Sequence, residues 1–174
     1  MARRAAREAG VRVRWLQADM RNIPWEEEFD AVINMFTSFG YLESDEEDQK
    51  VLEAAHKALK PGGRFLIDTI NREMLMRRWE PRGEQKGLDG ALRLEERDFD
   101  FLTSRQRVRV LGIYPDGSRR KQTIDLRLYT LTELAGMLSR AGLGFRKAWG
   151  WYDSQDYGFD SARMIVLAEK EHLT

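Results

Sequence analysis

The stretch from Phe29 to Asp68 constrains the fold more than any other, because it reads as strand, helix and strand in immediate succession. Phe29-Asp30-Ala31-Val32-Ile33-Asn34-Met35-Phe36 is a short run rich in β-branched and aromatic residues, too short for a helix and of the kind that forms a strand buried on both faces. Between Asp45 and Leu59, the apolar residues Val51, Leu52, Ala55 and Leu59 recur at helical spacing. Glu46, Glu47 and Asp48 fall in the first turn, where carboxylates complement the helix dipole. Lys60-Pro61-Gly62-Gly63 ends that helix, since proline cannot extend the hydrogen-bond ladder and glycine accepts the left-handed conformation of helix ends. Arg64-Phe65-Leu66-Ile67-Asp68 resumes as a second buried strand. Two buried strands joined through a helix run parallel with a right-handed crossover, so Phe29–Phe36 is expected as the central strand of an α/β sheet.

The flanking segments extend this alternation. Ala2 to Ala9 reads as the last turns of a helix stopped by Gly10. Val11, Val13, Trp15 and Leu16 read as a strand, and Ala18-Asp19-Met20 as the turn after it. After Ile70-Asn71 comes a Met/Arg-rich stretch, Met74 to Trp79, and a loop at Pro81-Arg82-Gly83. Leu92 with Leu94, Val108 with Val110, and Ile124 with Leu126 and Leu128 alternate with charged neighbours, which predicts three antiparallel strands, the last two joined by a turn at Pro115-Asp116-Gly117-Ser118. Thr130 is placed to cap a helix carrying Leu131, Leu134, Leu138 and Ala141, ended by Gly142, and strands over Phe145–Tyr152 and Ala162–Ala168 close the chain. The expected organisation is one domain over 1–174, an α/β sheet with a three-stranded antiparallel sheet inserted within 72–129, outside the main core.

Composition narrows the chemistry. At 174 residues the chain is long enough to bury about 70% of its unfolded surface. Lys+Arg and Asp+Glu both number 29, so no overall field draws it to nucleic acid or anionic lipid. The absence of cysteine removes disulfides, thiolate metal sites and thiol nucleophiles, and fits a reducing, cytoplasmic setting; no metal is expected. No apolar run approaches the roughly 20 residues of a membrane-spanning helix, and the Arg-rich start lacks the apolar segment of a signal peptide.

At Phe29-Asp30-Ala31-Val32, Leu59-Lys60-Pro61-Gly62-Gly63 and the final strand pair, the chain resembles the class I, Rossmann-like S-adenosylmethionine-dependent methyltransferases. Asn34 to Tyr41 and Asp68-Thr69-Ile70-Asn71-Arg72 resemble the small-molecule branch, which carries an antiparallel lid after the fifth strand. The resemblance implies sheet order 3-2-1-4-5-7-6, with Val11–Leu16 as strand three, Phe29–Phe36 as strand four and Arg64–Thr69 as strand five. Strand one with its Gly-rich loop, and strand two with the acid that holds the ribose, would precede Met1. Gly62-Gly63 does not replace that loop, because it precedes a strand instead of joining a strand to a helix. The expected fold is therefore an incomplete doubly wound sheet, strands 3 to 7.

The same resemblance implies that Asp19 accepts the adenine amino group of S-adenosylmethionine while the Met20 N–H meets a ring nitrogen; the alternative is that Asp19 shapes a turn. Asn34, Phe36 and Thr37 end the central strand, where α/β proteins bind ligands, and either cofactor contact or core packing places them there. Asp68 and Tyr41 are the candidates for deprotonating an acceptor, Asp68 against a capping role. Methyl transfer by in-line displacement can proceed on alignment alone. His56 reads as a surface or packing residue of its helix, and His172 as a terminal-tail residue. Trp149, Trp151, Tyr152, Tyr157 and Phe159 either wall an acceptor pocket or pack the lid. A missing cysteine nucleophile, a missing Asn/Asp-Pro-Pro-Tyr/Phe segment and the lack of a basic, aromatic-studded stripe argue against nucleic-acid methylation and for a small-molecule acceptor. A non-catalytic remnant that oligomerises or binds a partner is the alternative. The unpaired side of the central strand predicts a homodimer or other self-association.

Overall fold

Phe29–Asn34 (β1) and Leu59–Ile70 (β2) pair in parallel, with Ala31 beside Arg64 and Asn34 beside Ile67, and Asp45–Ala58 (α2) makes the crossover between them. The computed structural model describes residues 2–171, so His172 lies outside the described residues. Ser44 caps α2 by accepting from the Glu47 N–H, and four acids occupy the first turn, an arrangement worth about 1 kcal/mol for the cap alone. The helix buries Val51, Leu52, Ala55 and Ala58 against the sheet. His56, on the same helix, is held below its ordinary pKa by burial and by nearby Lys170, as suits a packing residue. At the other end of the chain, Leu131–Arg140 (α4) starts in a capping box formed by Thr130 and Glu133 and ends before Gly142, whose φ is 77°. Ala2–Glu8 (α1) precedes Gly10, also left-handed, and buries none of its residues.

Arg163–Lys170 (β8) lies antiparallel to β2, and Leu143–Trp149 (β7) antiparallel to β8, giving the order β1-β2-β8-β7. This is the 4-5-7-6 half of the expected sheet. Leu52, Leu59, Phe65, Ile67, Leu134, Leu138, Leu143, Met164 and Val166 are sealed between strands and helices, each worth about 1.5–3 kcal/mol of burial.

Two expectations for this sheet are corrected. β2 and β8 are its central strands, while β1 stands at the edge with Ile33 67% exposed. Residues 11–16 form no strand, and Val11, Val13, Trp15 and Leu16 are exposed. The physical reason is common to both. A strand needs a neighbour for its backbone groups, and among the described residues none lies beside β1 or 11–16. The strand also stops at Asn34, short of Phe36, because Phe36 and Thr37 turn left-handed at φ 58° and 57°.

Between the two halves, Arg72–Arg77 (α3) leads into a second sheet of four antiparallel strands, Arg82–Lys86 (β3), Leu92–Asp100 (β4), Arg105–Ile113 (β5) and Arg119–Arg127 (β6). The apolar alternation predicts only three of them. β3 escapes that pattern because its Arg-Gly-Glu-Gln-Lys sequence is almost wholly exposed and needs only backbone pairing to β4. No residue of β3–β6 belongs to the main core cluster. The sheet is seated at its root, where the Arg127 N–H donates to Gly40 O and the Leu128 N–H to Ser104 O.

Candidate functional site

Parallel β1 and β2 bring their carboxyl ends to one edge of the sheet, where β8 begins and β7 ends. The segments 35–44, 71–81 and 150–162 therefore converge on that edge, which is where ligands bind in open α/β sheets.

Asp68, fully buried at the end of β2, is the hub. Its Oδ2 accepts from the Phe36 N–H at 2.9 Å and the Tyr152 hydroxyl at 2.7 Å, and its Oδ1 accepts from Arg163 Nε at 2.7 Å. Burial pushes the carboxyl up, but the bonds from Arg163, Tyr152 and the Phe36 amide outweigh it and hold Asp68 below its ordinary pKa. A carboxylate so engaged is a poor proton acceptor. Asp68, the expected base, thus stands with its carboxylate engaged by three donors from three different segments. Arg163 Nη2 also donates to Thr37 Oγ1 at 2.9 Å, and the Thr37 N–H donates to Asp68 O, so Thr37 is buried and occupied while Phe36 projects at 78% exposed.

Asn71, the next buried polar residue, works in the same way for the neighbouring loops. Its Oδ1 caps α3 by accepting from the Glu73 and Met74 amides, and its Nδ2 donates to Gly158 O and Ser161 O, both at 2.8 Å. Tyr157, whose phenol is pushed up by burial and by Glu73, lies 2.9 Å from Asn71 Oδ1 and 2.7 Å from Glu73 Oε2. Tyr157 is thus a packing residue. Trp151, Tyr152 and Phe159 of the same loop remain exposed, with Trp151 edge-on to Tyr152 at 5.1 Å.

Asp19 and Met20 form an exposed turn. The backbone N–H and Nε of Arg21 donate to Asp19 Oδ1 and Arg21 Nη2 to Oδ2, which lowers the Asp19 pKa to about 2, while Arg21 also reaches Glu47 on α2. Of the roughly four lone-pair positions on a carboxylate, three are taken and one on Oδ2 stays open among the described residues. Asn34 joins this turn to β1 by its Nδ2, 3.8 Å from Met20 Sδ, and its Oδ1 is shielded from solvent with no hydrogen-bond partner among the described residues. An orphaned acceptor at the carboxyl edge is the feature a bound donor would satisfy. Tyr41 stands half exposed after Gly40, with no hydrogen bond to Asp68 among the described residues.

The structure therefore brings Phe36, Thr37 and Asp68 together in one network and Met20 and Asn34 in another, and leaves Tyr41 apart. Sequence reasoning missed Arg163. Its signal was a cation placed directly before five apolar residues, Met164 to Ala168, a position that a buried charge occupies only with a partner. It also missed Arg127, buried between Asp45 and Glu133 at the root of the inserted sheet.

Residues 1–63 match the family described as a methyltransferase domain. No curated protein matches the chain in sequence. Among solved structures, the CcbJ methyltransferase from Streptomyces caelestis is 19% identical with TM-score 0.79, over 89% of this chain and 62% of its own. An S-adenosylmethionine-dependent methyltransferase from Clostridium acetobutylicum is 17% identical with TM-score 0.84, over 98% and 70%. CalS10 with bound S-adenosylmethionine, an amino pentose methyltransferase from Micromonospora echinaspora, is 20% identical with TM-score 0.60, over 88% and 63%. The chain thus has the Rossmann-like methyltransferase fold and spans less than two thirds of CcbJ and CalS10.

Proposed function

We propose that the chain supplies the adenine edge and the acceptor wall for S-adenosylmethionine-dependent methyl transfer to a small molecule. The observation that carries this reading is an overlap. The methyltransferase-domain match over residues 1–63 contains Asp19, Met20, Asn34, Phe36 and Thr37, and all five lie at the carboxyl edge of the sheet or on the turn bonded to it.

The cofactor would supply a methyl group on a sulfonium, open to in-line displacement. In this reading the open lone-pair position on Asp19 and the Met20 amide take the adenine, Asn34 Oδ1 takes a cofactor N–H or O–H, and the exposed ring of Phe36 covers an apolar face. Thr37 acts through the backbone it fixes. With Asp68 committed to Arg163, Tyr152 and Phe36, rate enhancement comes from aligning the acceptor's lone pair with the methyl group, not from a carboxylate base. Tyr41 is exposed and free to contact the acceptor. The likeness to CalS10, an amino pentose methyltransferase, favours a polar small molecule as that acceptor.

A second reading is favoured by one observation, the edge of β1 that has no strand beside it among the described residues. In it the chain is a non-catalytic relative that associates with a second copy through that edge. Calorimetry with S-adenosylhomocysteine distinguishes the two. The described residues contain no Gly-rich turn between a strand and a helix to approach the ribose and methionine, so the 174-residue chain is expected to bind more weakly than micromolar. Micromolar binding would overturn this division of labour, and no binding at any concentration would favour the second reading. An in-frame strand with a Gly-rich turn in the DNA ahead of the Met1 codon would favour the first.

A further inference from the structure

We propose that Asp68 is a positioning residue that fastens the Phe36–Thr37 turn and the Tyr152 loop into one cooperative unit, the acceptor-facing wall of the carboxyl edge. The two segments are more than 100 residues apart in sequence and share one carboxyl oxygen, because the Phe36 N–H and the Tyr152 hydroxyl both donate to Asp68 Oδ2.

The turn needs such a fastening. Phe36 and Thr37 are consecutive left-handed residues with side chains, a conformation that persists only where surrounding contacts over-determine it. Three contacts do so here. The Phe36 amide is held by the Asp68 carboxylate, the Thr37 amide by the Asp68 carbonyl, and the Thr37 hydroxyl by Arg163 Nη2. Arg163 is the crossbar of the unit. Its Nε donates to Asp68 Oδ1, and its backbone N–H donates to Gly150 O at the root of the 150–162 loop. The fastening has a visible product, since it displays the rings of Phe36, Tyr152 and Trp151 to solvent on the edge where α/β proteins bind ligands. An ion pair that only stabilised the core would not need its partners to reach forward into two loops.

The unit rests on the methyltransferase reading only for the identity of what it faces. Hydrogen exchange tests the unit with no ligand present, so its failure is separate from failure of that reading. In Asp68→Asn, one amide oxygen must serve three donors. Exchange at the Phe36 and Thr37 amides and across 150–156 is expected to quicken together, by roughly ten-fold or more, while α4 keeps its wild-type protection relative to global unfolding. Asp68→Asn combined with Arg163→Gln removes the orphaned guanidinium and so recovers stability, and the coupled loss of protection is expected to remain. Tyr152→Phe, which leaves the ion pair intact and removes one hydroxyl from a half-exposed side chain, is expected to quicken both segments to a smaller degree. A response confined to one segment, an increase spread evenly over the chain, or recovery of slow exchange at Phe36 in the double variant would overturn the proposal.

Discussion

The hydroxyl of Tyr129 lies 2.8 Å from Oδ2 of Asp48, a carboxyl that is 1% exposed and whose other oxygen has no hydrogen-bond partner among the described residues. This contact joins the segment after the inserted sheet to helix α2, and Tyr129 Oη also lies 3.0 Å from Asp45 Oδ1. Removing it with Tyr129→Phe strips Asp48 of its hydrogen-bonded side-chain partner. The expected loss is about 1–3 kcal/mol, read as a lower urea midpoint with unchanged slope.

The same carboxyl has a pH signature. Burial, the largest influence, raises Asp48 above its ordinary pKa despite the Tyr129 bond. A carboxyl raised in the folded state binds more protons there than when unfolded, so its contribution declines as pH rises from the ordinary carboxylate range through the raised value. Asp68, lowered in the folded state, contributes in the opposite sense, present above the ordinary range and lost as pH falls. Asp48→Asn is therefore expected to gain stability relative to wild type as pH rises from acid to neutral. Denaturation curves of the two proteins at matched pH values check this, and a difference independent of pH would contradict it.

Gly40 seats the inserted sheet. Its φ is 99°, and a Cβ there would come within 2.4 Å of Arg127 O, the carbonyl of the residue whose N–H donates to Gly40 O. Gly40→Ala is expected to cost more than about 1 kcal/mol and to raise protease sensitivity at the root of that sheet. Gly117→Ala, also left-handed but with open space around it, is the control for backbone strain alone.

The inserted sheet should be dispensable for folding, because none of β3–β6 contributes to the main core cluster and its seat is a few bonds around Gly40, Ser104 and Arg127. Replacing 82–126 with a short linker keeps the Arg127 pairs to Asp45 and Glu133. A cooperative unfolding transition in that variant is the expected result.

The exposed edge of β1 is expected to mediate self-association through backbone pairing, with Ile33 as its outward apolar residue. Light scattering should give a mass that rises with concentration in the wild type and less in Ile33→Lys. A single-chain mass at all concentrations would contradict it.

Sequence carried the parallel β1–α2–β2 unit, the capped helix at Thr130 and the final strand pair, because each rests on local periodicity with punctuation beside it. It failed at Val11–Leu16 for a physical reason, since strand propensity there has no neighbouring strand among the described residues to satisfy it. At the site, Asn34, Phe36 and Asp68 were placed by their position at strand ends. The partners of Asp68 are not legible in the sequence, because Arg163 and Tyr152 reach it only through the tertiary fold.

The most direct test is a titration of S-adenosylhomocysteine into the isotope-labelled chain, followed by amide chemical shifts. Weak binding is expected, with the largest shifts at Asp19, Met20, Asn34 and Phe36 and none on the strands of the inserted sheet distant from Gly40. Shifts confined to that sheet, or none at the carboxyl edge of β1 up to the solubility limit, would contradict the assignment of this edge to the cofactor.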